Sequence, residues 1–429
     1  MSGGISRVHI IQSFTAFVSK SFRSYFPLES PLMKGKFLMR SKLILIVSVL
    51  FILCIFQIAD TLVPAWGAWS SVIETKHRQR ITEFSYEAMK SAINERMDET
   101  SSIIVPEFME EHFMYDLSAK RALIDLYKFV DEKKIQLPIF EDRVMKLDSE
   151  KSVSKDGPLI CLGITTARRQ NSPISYLIQG VSAILNRMNY KLHKDKVYIH
   201  VFNVDADPGN HEDIDLVRPL LPVTNVKAEI PVFSSTFKVH SLHHENMDYA
   251  MSLRILNKIG CQYPVMVEDD SVATVDWVEA ILMAIDQLSR RPVKNDWLVV
   301  KFYTAREEYS DKYERGISEY DMGWNSVCNL INKEYILNVA EELESTTLNA
   351  VRNEDDSLFI IKDHTINKCA VRLHLKFLAF EPVIFQHTGI FSSVRARSLD
   401  KEAVTRWDMA SKRFDGAGHP INFRREFWE

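Results

Sequence analysis

The stretch VMVEDDSVA, residues 265–273, joins an apolar run to three consecutive acids. The apolar residues predict a short buried strand, at whose carboxyl end Glu268, Asp269 and Asp270 stand. Burying an ionised carboxylate is costly unless a positive group compensates it. The three acids are therefore either solvated at the strand end or hold a cation.

From residue 159 onward, apolar strand-like runs alternate with segments of helical periodicity. The predicted strands are LICLGITT (159–166), KVYIHVFNVD (196–205), VKAEIPVF (226–233), YPVMVEDD (263–270) and DWLVVKFY (296–303). The predicted helices are ISYLIQGVSAILNRM (174–188), HENMDYAMSLRILNKIG (244–260), which ends on a C-cap glycine, and VDWVEAILMAIDQLS (275–289). This alternation predicts an α/β domain whose parallel sheet is covered on both faces. Ligands of such sheets bind at the carboxyl ends of strands, where the acids stand.

Two acids of the triplet and a distant histidine are candidate metal ligands. Residues two apart on a strand point the same way, so Glu268 and Asp270 are expected to share a side while Asp269 points elsewhere. Carboxylate oxygens suit Mg²⁺ or Mn²⁺. His387 follows another apolar run, in EPVIFQHTGIFSS (381–393), and a neutral imidazole is a further ligand for Mn²⁺. A solvated strand end and a purely structural histidine are the alternatives.

Polar residues after the first strand and on a later helix are candidate binding groups. GITTARRQ (163–170) carries two hydroxyls, among them that of Thr166, and the guanidiniums of Arg168 and Arg169. Guanidiniums pair well with phosphate, so this segment points to a phosphate or nucleotide ligand; a solvated loop is the alternative. Asp248 lies on a predicted helix, where an exposed helix face is the alternative.

The N-terminal part predicts a membrane anchor and a stem. Residues 43–59, LILIVSVLFILCIFQIA, carry no charge and are long enough to cross a bilayer; a cleaved signal peptide is the alternative. The preceding residues carry seven Lys or Arg and one acid, so the positive-inside rule predicts a cytosolic N-terminus and a lumenal C-terminal part. A basic tail, a transmembrane anchor, a helical stem and a large domain are predicted over residues 1–42, 43–63, 64–157 and 158–429.

This topology predicts a single-pass type II protein of the Golgi membrane, with the endoplasmic reticulum as the alternative, because a short span suits the thinner membranes of the early pathway. The chain has a net charge of −4 despite its basic tail, so the remainder is acidic and lacks the basic footprint of a nucleic-acid binder. The spacing of the five cysteines reveals no disulfide pairing.

Several of these motifs, in this order, resemble a known group of glycosyltransferases. TTARRQ, ENMDYAMSLRIL, VMVEDDSVATVDWVEAI, LVVKFY and FEPVIFQHTGIFSSVR are similar to the GPI-glycan N-acetylgalactosamine transferase family, the fourth post-GPI-attachment factor. They are more distantly similar to the N-acetylglucosaminyltransferase IV family of N-glycan branching enzymes. The similarity covers roughly residues 159–400. It implies a GT-A-type nucleotide-sugar transferase domain on a single N-terminal transmembrane helix with a helical stem.

The resemblance also implies roles for individual residues. Glu268, Asp270 and His387 would form the site of Mn²⁺ or Mg²⁺, with Asp269 toward the ribose of a UDP-sugar donor. The residues that would bind this donor are Thr166, Arg168, Arg169, Asp248 and Asp269.

A general base is implied as well, because both families are inverting and the acceptor hydroxyl must lose its proton as it attacks. The segment EDDSLFII (354–361) aligns with a family segment that carries an acidic residue. Asp356 is therefore the first candidate for the base and Asp355 the second. An ordinary acid in the first turn of a helix is the alternative.

The predicted function is a metal-dependent inverting transfer of N-acetylgalactosamine from UDP-GalNAc to a mannose of the GPI glycan, in the secretory pathway. Transfer of N-acetylglucosamine from UDP-GlcNAc to N-glycan mannose and a catalytically silent lumenal binding protein are the alternatives. The animal GPI enzymes carry two extra membrane helices after the acidic motif, whereas residues 304–335 contain no apolar run of membrane length. No motif reports the donor sugar or the acceptor.

Overall fold

A mixed β-sheet of eight strands forms the core of the part of the chain that the structure describes. The structure is a computed structural model that describes residues 85–101, 110–140, 157–169, 172, 174–231, 239, 241–304, 315–320, 327–354, 361–389 and 420–429. All of these residues belong to one compact unit, Phe84–Glu429. The other unit, Met1–Glu83, lies outside the described residues.

The ten strands of the described chain are β1 (Ile160–Thr166), β2 (Val197–Asn203), β3 (Val223–Asn225), β4 (Tyr263–Glu268), β5 (Ser271–Ala273), β6 (Trp297–Lys301), β7 (Gly316–Glu319), β8 (Cys328–Ile331), β9 (Lys376–Glu381) and β10 (Phe385–His387). The α-helices in the same residues are α1 (Tyr86–Ser101), α2 (Glu110–Lys133), α3 (Tyr176–Asn186), α4 (Tyr190–His193), α5 (Glu212–Val217), α6 (Ser241–Ile259), α7 (Trp277–Ser289), α8 (Ile336–Asn353) and α9 (Lys362–Leu373). Short 3-10 turns cover Pro208–Asn210, Lys333–Tyr335 and Arg425–Phe427.

The large sheet has the strand order β3-β2-β1-β4-β8-β6-β9-β7. β1 pairs in parallel with β2 and β4, and β2 pairs in parallel with β3. β8 is antiparallel to both β4 and β6, and β7 is antiparallel to β9. β5 and β10 form a separate antiparallel pair. The sheet is therefore parallel on the side of β1 and mixed beyond β4.

Both faces of the central strands are covered, as predicted. All seven residues of β2 are buried. In β1 every residue is buried except Thr165, which is half-buried. Successive residues of a strand point to opposite faces, so burial of the whole strand requires packing on both sides. The predicted helices over 174–188, 244–260 and 275–289 are confirmed as α3, α6 and α7.

The prediction of a parallel sheet is wrong for its second half, because β8 inserts between β4 and β6 and runs against both. The predicted strand 226–233 is also wrong, since β3 ends at Asn225 and residues 226–231 are irregular. There the backbone N–H of Ala228 donates to the Asp248 carboxylate at 2.8 Å rather than to a neighbouring strand. A side chain thus takes the hydrogen bond that would have extended the ladder.

The predicted architecture, a GT-A-type domain on a single N-terminal transmembrane helix with a helical stem, needs correction. Across the part of the chain that the structure describes, no helix combines the length and the apolar character needed to cross a membrane. The predicted tail 1–42 and anchor 43–63 lie outside the described residues. The described residues form a mixed α/β domain that includes two long helices before β1.

Those two helices, α1 and α2, fall within the predicted stem and share the core of the sheet. Leu123 and Tyr127 of α2 are completely buried in this core. Asp116 and Lys120, also on α2, form a buried ion pair at 2.6 Å, and Asp116 accepts a hydrogen bond from the Ser175 N–H at 2.9 Å. This part of the stem is therefore packed on the domain, and the predicted domain boundaries stay a prediction.

The C-terminal segment packs against the same helix. Trp428 stacks on Tyr190 with ring centroids 4.5 Å apart, and Phe423 contacts Phe129 of α2 at 5.6 Å. Aromatic pairs of this kind contribute about 0.5–1.5 kcal/mol beyond their buried area. The end of the chain thus holds α2 on the domain.

A disulfide bond joins Cys161 in β1 to Cys261, just before β4, with 5.7 Å between their Cα atoms. It links two strands that are already neighbours and encloses a stretch with a sequence separation of 100 residues. Cys328 and Cys369 are buried and unpaired with each other. Only the fold, which brings β1 beside β4, reveals this pairing.

Replacing Cys161 and Cys261 together by alanine is expected to lower the free energy of unfolding by about 2–5 kcal/mol, because the open chain gains conformational freedom. Denaturant unfolding followed by circular dichroism measures the loss. A reducing agent should destabilise the native protein to a similar extent and leave the double variant unchanged. Equal denaturation midpoints for the two proteins under oxidising conditions would contradict the assignment.

Candidate functional site

The acids of the triplet stand where β4 ends and the chain turns into β5. Glu268 is the last residue of β4, whereas Asp269 and Asp270 form the turn that follows. The strand alternation on which the sequence prediction relied therefore stops after Glu268. It is the turn, rather than the pleat, that orients the last two acids.

His387 reaches the triplet through the small β5–β10 sheet. In this antiparallel pair His387 stands opposite Ser271, the residue after Asp270. The next residue, Thr388, donates its N–H to the carbonyl of Asp270 at 2.7 Å. The Thr388 hydroxyl also donates to the Gln179 side chain on α3, at 2.8 Å. Backbone pairing thus fixes the histidine beside an acid that is far from it in the sequence.

Glu268, Asp270 and His387 each offer one ligand atom, and these three atoms lie within 4.8 Å of one another. His387 Nε2 lies 3.2 Å from Asp270 Oδ2. Within the described residues this is the one cluster of histidine, cysteine and acidic side chains with such a geometry. The structure therefore brings together the three residues that the sequence predicts as metal ligands.

Two features of the cluster fit a bound divalent ion. Asp270 Oδ1 is buried and has no hydrogen-bond partner, which leaves an oxygen ready for a further positive ligand. At Gly389 a Cβ atom would stand 2.0 Å from Asp270 Oδ2, so the glycine keeps the space around that carboxylate open. Two carboxylates and one imidazole are a donor set that suits Mn²⁺.

Arg169 compensates the two adjacent aspartates. Its guanidinium donates to Asp269 Oδ1 at 2.8 Å and to Asp270 Oδ2 at 2.9 Å. It also lies over the ring of Tyr176, 4.4 Å from the centroid. The predicted phosphate-binding arginine is thus held by protein carboxylates, and only its Nε atom is without a hydrogen-bond partner.

The pKa values of the site reflect burial against opposite charge. Burial raises the pKa of Asp269, and the charge of Arg169 offsets this only in part. Burial also opposes ionisation of Asp270, but His387 and Arg169 outweigh it and hold the pKa of Asp270 below its usual range. Burial favours a neutral His387, yet the Asp270 carboxylate outweighs it and raises the pKa of His387. Metal ligation requires a neutral imidazole, so a bound cation would compete with a proton for His387.

Lys362, the first residue of α9, is a site residue that the sequence reasoning missed. Its ammonium group lies 2.8 Å from Glu268 Oε1 and 2.8 Å from Glu245 Oε1, and 5.0 Å from the centroid of the Tyr249 ring. The side chain is 5% exposed. It compensates Glu268 as Arg169 compensates Asp270. No sequence signal marks it, because its partners come from β4 and α6.

A cleft of about 580 Å³ opens beside Asp269. Its lining includes Arg168, Arg169, Tyr176 and His211, together with Arg96 from α1. Arg168 is exposed there, and its backbone N–H donates to Asp205 at 2.8 Å. Thr166, also predicted as a binding residue, lies below the cleft and donates to Asp269 at 2.6 Å. His211, which the sequence reasoning missed, contacts Thr166 at 2.9 Å.

Three predicted site residues remain, of which the structure describes Asp248 and places it outside this cluster. Asp248 is buried in α6 and accepts the N–H of Ala228, as described above. Asp355 and Asp356 lie outside the described residues, directly after α8 and its left-handed cap at Glu354. The role of both as a general base stays a prediction.

Gly389→Ala is expected to reduce Mn²⁺ affinity at least about tenfold, because the added methyl group would collide with Asp270 Oδ2 and approach His387 Nε2. Calorimetric titration with Mn²⁺ measures the affinity. Gly209→Ala is the matched control, since its Cβ would meet nothing closer than 3.7 Å. Equal affinities of the two variants would contradict the metal site.

Asp248→Asn is expected to gain stability relative to the native protein as the pH rises from 4 to 7. Burial raises the pKa of Asp248 to about 6, so the native carboxylate is increasingly penalised in the folded state above its unfolded pKa of 3.8. The relative gain should reach about 1–3 kcal/mol and level off above pH 7. Denaturant unfolding at several pH values measures it, and a stability difference that is constant with pH would contradict the assignment.

Comparison with known proteins finds similar solved structures and a matching protein family. The crystal structure of mouse xyloside xylosyltransferase 1 in its apo form is similar over 51% of this chain and 83% of that chain, with 11% sequence identity and a TM-score of 0.31. No curated protein matches the sequence.

The match to the protein family covers less than half of the chain. It includes the acids of the triplet and ends before His387 and before the two candidate bases. The resemblance predicted from the motifs is confirmed for this part: residues 160–331 match the family described as GPI-N-acetylgalactosamine transferase PGAP4.

Proposed function

We propose that this protein is a metal-dependent, inverting glycosyltransferase of the secretory pathway that transfers N-acetylgalactosamine from UDP-GalNAc to a mannose of the GPI glycan. The observation that carries the proposal is the cluster of Glu268, Asp270 and His387. Its two acids stand at the end of β4, in the segment that matches the family.

The place of the cluster supports a nucleotide-sugar donor. It lies at the carboxyl end of β4, beside the parallel strand β1, where ligands of such sheets bind. The neighbouring cleft of about 580 Å³ falls within the usual range of small-ligand pockets. Arg168 at its rim is an exposed cation for a phosphate group.

The three ligands would hold Mn²⁺, or Mg²⁺, through two carboxylate oxygens and one imidazole nitrogen. When bound, the ion would supply positive charge that stabilises the UDP leaving group. His387 and Arg169 hold the pKa of Asp270 below its usual range against the effect of burial. The ammonium group of Lys362 lies 2.8 Å from Glu268 Oε1 and compensates part of the negative charge at the site.

The acceptor hydroxyl needs a base in an inverting transfer. We assign this role to Asp356, with Asp355 as the second candidate, on the resemblance alone. The base would take the proton of the mannose hydroxyl. At the same time the hydroxyl oxygen would form a bond to the anomeric carbon of the donor sugar, and the bond from that carbon to UDP would break. Proton and leaving group then depart on opposite sides of the sugar.

The lumen of the secretory pathway, within the Golgi, is the proposed location. The disulfide between Cys161 and Cys261 supports it, since disulfides persist in oxidising compartments and are rare in the cytosol.

The test is hydrolysis and binding of UDP-GalNAc and UDP-GlcNAc by the 429-residue chain, with and without Mn²⁺. Turnover of UDP-GalNAc should require the ion and fall by at least about 100-fold in Asp270→Asn, because a ligand and a negative charge are lost. Asp286→Asn is the matched control on the surface of α7, where Asp286 is half exposed. A folded protein without metal-dependent donor binding would overturn the mechanism, and preference for UDP-GlcNAc would favour the N-glycan branching reaction.

A further inference from the structure

His211 occupies a position in the fold that no motif of the sequence marks. It follows the 3-10 turn Pro208–Asn210 and occupies the N-cap position of the short helix α5, without a capping hydrogen bond from its side chain. The side chain is 6% exposed and forms part of the wall of the cleft beside Asp269. Its Nε2 atom lies 2.9 Å from the hydroxyl oxygen of Thr166, the last residue of β1.

The direction of the hydrogen bonds follows from the hydroxyl of Thr166. This hydroxyl has one hydrogen, which it donates to Asp269 Oδ2 at 2.6 Å. Its oxygen can therefore only accept from His211, so the Nε2 atom of the histidine carries a hydrogen. The result is a directed chain in which His211 donates to Thr166 and Thr166 donates to Asp269.

This chain completes the hydrogen bonding of the Asp269 carboxylate. Oδ2 is bound by Thr166 and Oδ1 by Arg169, at 2.8 Å. The same guanidinium holds Asp270, one of the three candidate metal ligands, at 2.9 Å. The orientation of Asp270 therefore depends on Arg169, that of Arg169 on Asp269, and that of Asp269 on the hydroxyl that His211 binds.

We propose that His211 is a positioning residue of the donor site, which acts through Thr166 and Asp269 to hold Arg169 against Asp270. The proposal rests on the proposed function, because the site that it orders is the metal and UDP site. His211 is not one of the three candidate metal ligands. It fixes a buried carboxylate, and partners of this kind typically change affinity 10- to 100-fold when they are removed.

The experiment compares Mn²⁺-dependent UDP binding, measured by calorimetry, in variants of the full chain. His211→Leu removes the donor and is expected to weaken UDP binding 10- to 100-fold. His211→Gln keeps an N–H at a similar reach and should remain within about threefold of the native affinity. Thr166→Val, nearly isosteric, should reproduce the loss, and the double variant with His211→Leu should be no weaker than either single one.

The matched control is His200→Leu. His200 is likewise buried, with Nε2 2.8 Å from the hydroxyl of Thr224 in β3 and Nδ1 2.8 Å from the hydroxyl of Tyr198 in β2, but it does not line the cleft. This variant should lose stability without losing UDP affinity. A His211→Leu protein that behaves in the same way would overturn the proposal, and so would failure of the glutamine variant to restore binding.

Three further outcomes are decisive. If both His211→Leu and Thr166→Val fail to fold, the chain of hydrogen bonds is structural and the proposal falls. If the native protein shows no Mn²⁺-dependent UDP binding, both the proposed function and this inference are wrong. If the native protein binds UDP and a folded His211→Leu variant binds it with the same affinity, this inference is wrong and the proposed function stands.

Discussion

The guanidinium of Arg169 is the constraint on which the rest of the site depends. It binds two consecutive aspartates at once, and both are nearly inaccessible to water. Two like charges on neighbouring side chains repel each other strongly where the dielectric is low. A fixed cation between them offsets part of that cost and, together with His387, holds the pKa of Asp270 below its usual range.

The same logic recurs on the other side of the cluster. Lys362 is buried between Glu245 and Glu268 and joins the start of α9 to the end of β4 and to α6. Such an arrangement contributes little net stability, since desolvation of the charges offsets their attraction, but loss of one partner is expensive. The ion pairs instead fix the orientation of the carboxylates. Each of the two acids that would bind a divalent ion is paired with a cation, Glu268 with Lys362 and Asp270 with Arg169.

The backbone supplies the third part of the arrangement. β5 and β10 are only three residues each, yet their pairing places His387 beside Asp270 and directs Gly389 toward its carboxylate. A sheet this short is not stable alone. The Thr388 hydroxyl ties it to α3, which in turn packs on α2. Helices that the sequence assigns to a stem therefore support the geometry of the site from behind.

The sequence by itself determined the local structure wherever one periodicity dominated. The helices α3, α6 and α7 and the buried strands β1, β2, β4 and β6 follow from apolar patterns that span each element. The acidic triplet and His387 were recognisable because they end apolar runs and because their motifs resemble a family. The family match over residues 160–331 confirms that resemblance for the triplet.

Tertiary structure alone decided the direction of β8, the disulfide, and the partners of the acids. β8 pairs with both β4 and β6, so its direction depends on contacts with distant strands. Local periodicity carries no information on those contacts. Arg169, predicted to meet phosphate, instead binds Asp269 and Asp270, and neither Lys362 nor His211 stands near the triplet in the sequence. Compensation of buried charge acts through space, so the residues that provide it become visible only when distant elements are packed together.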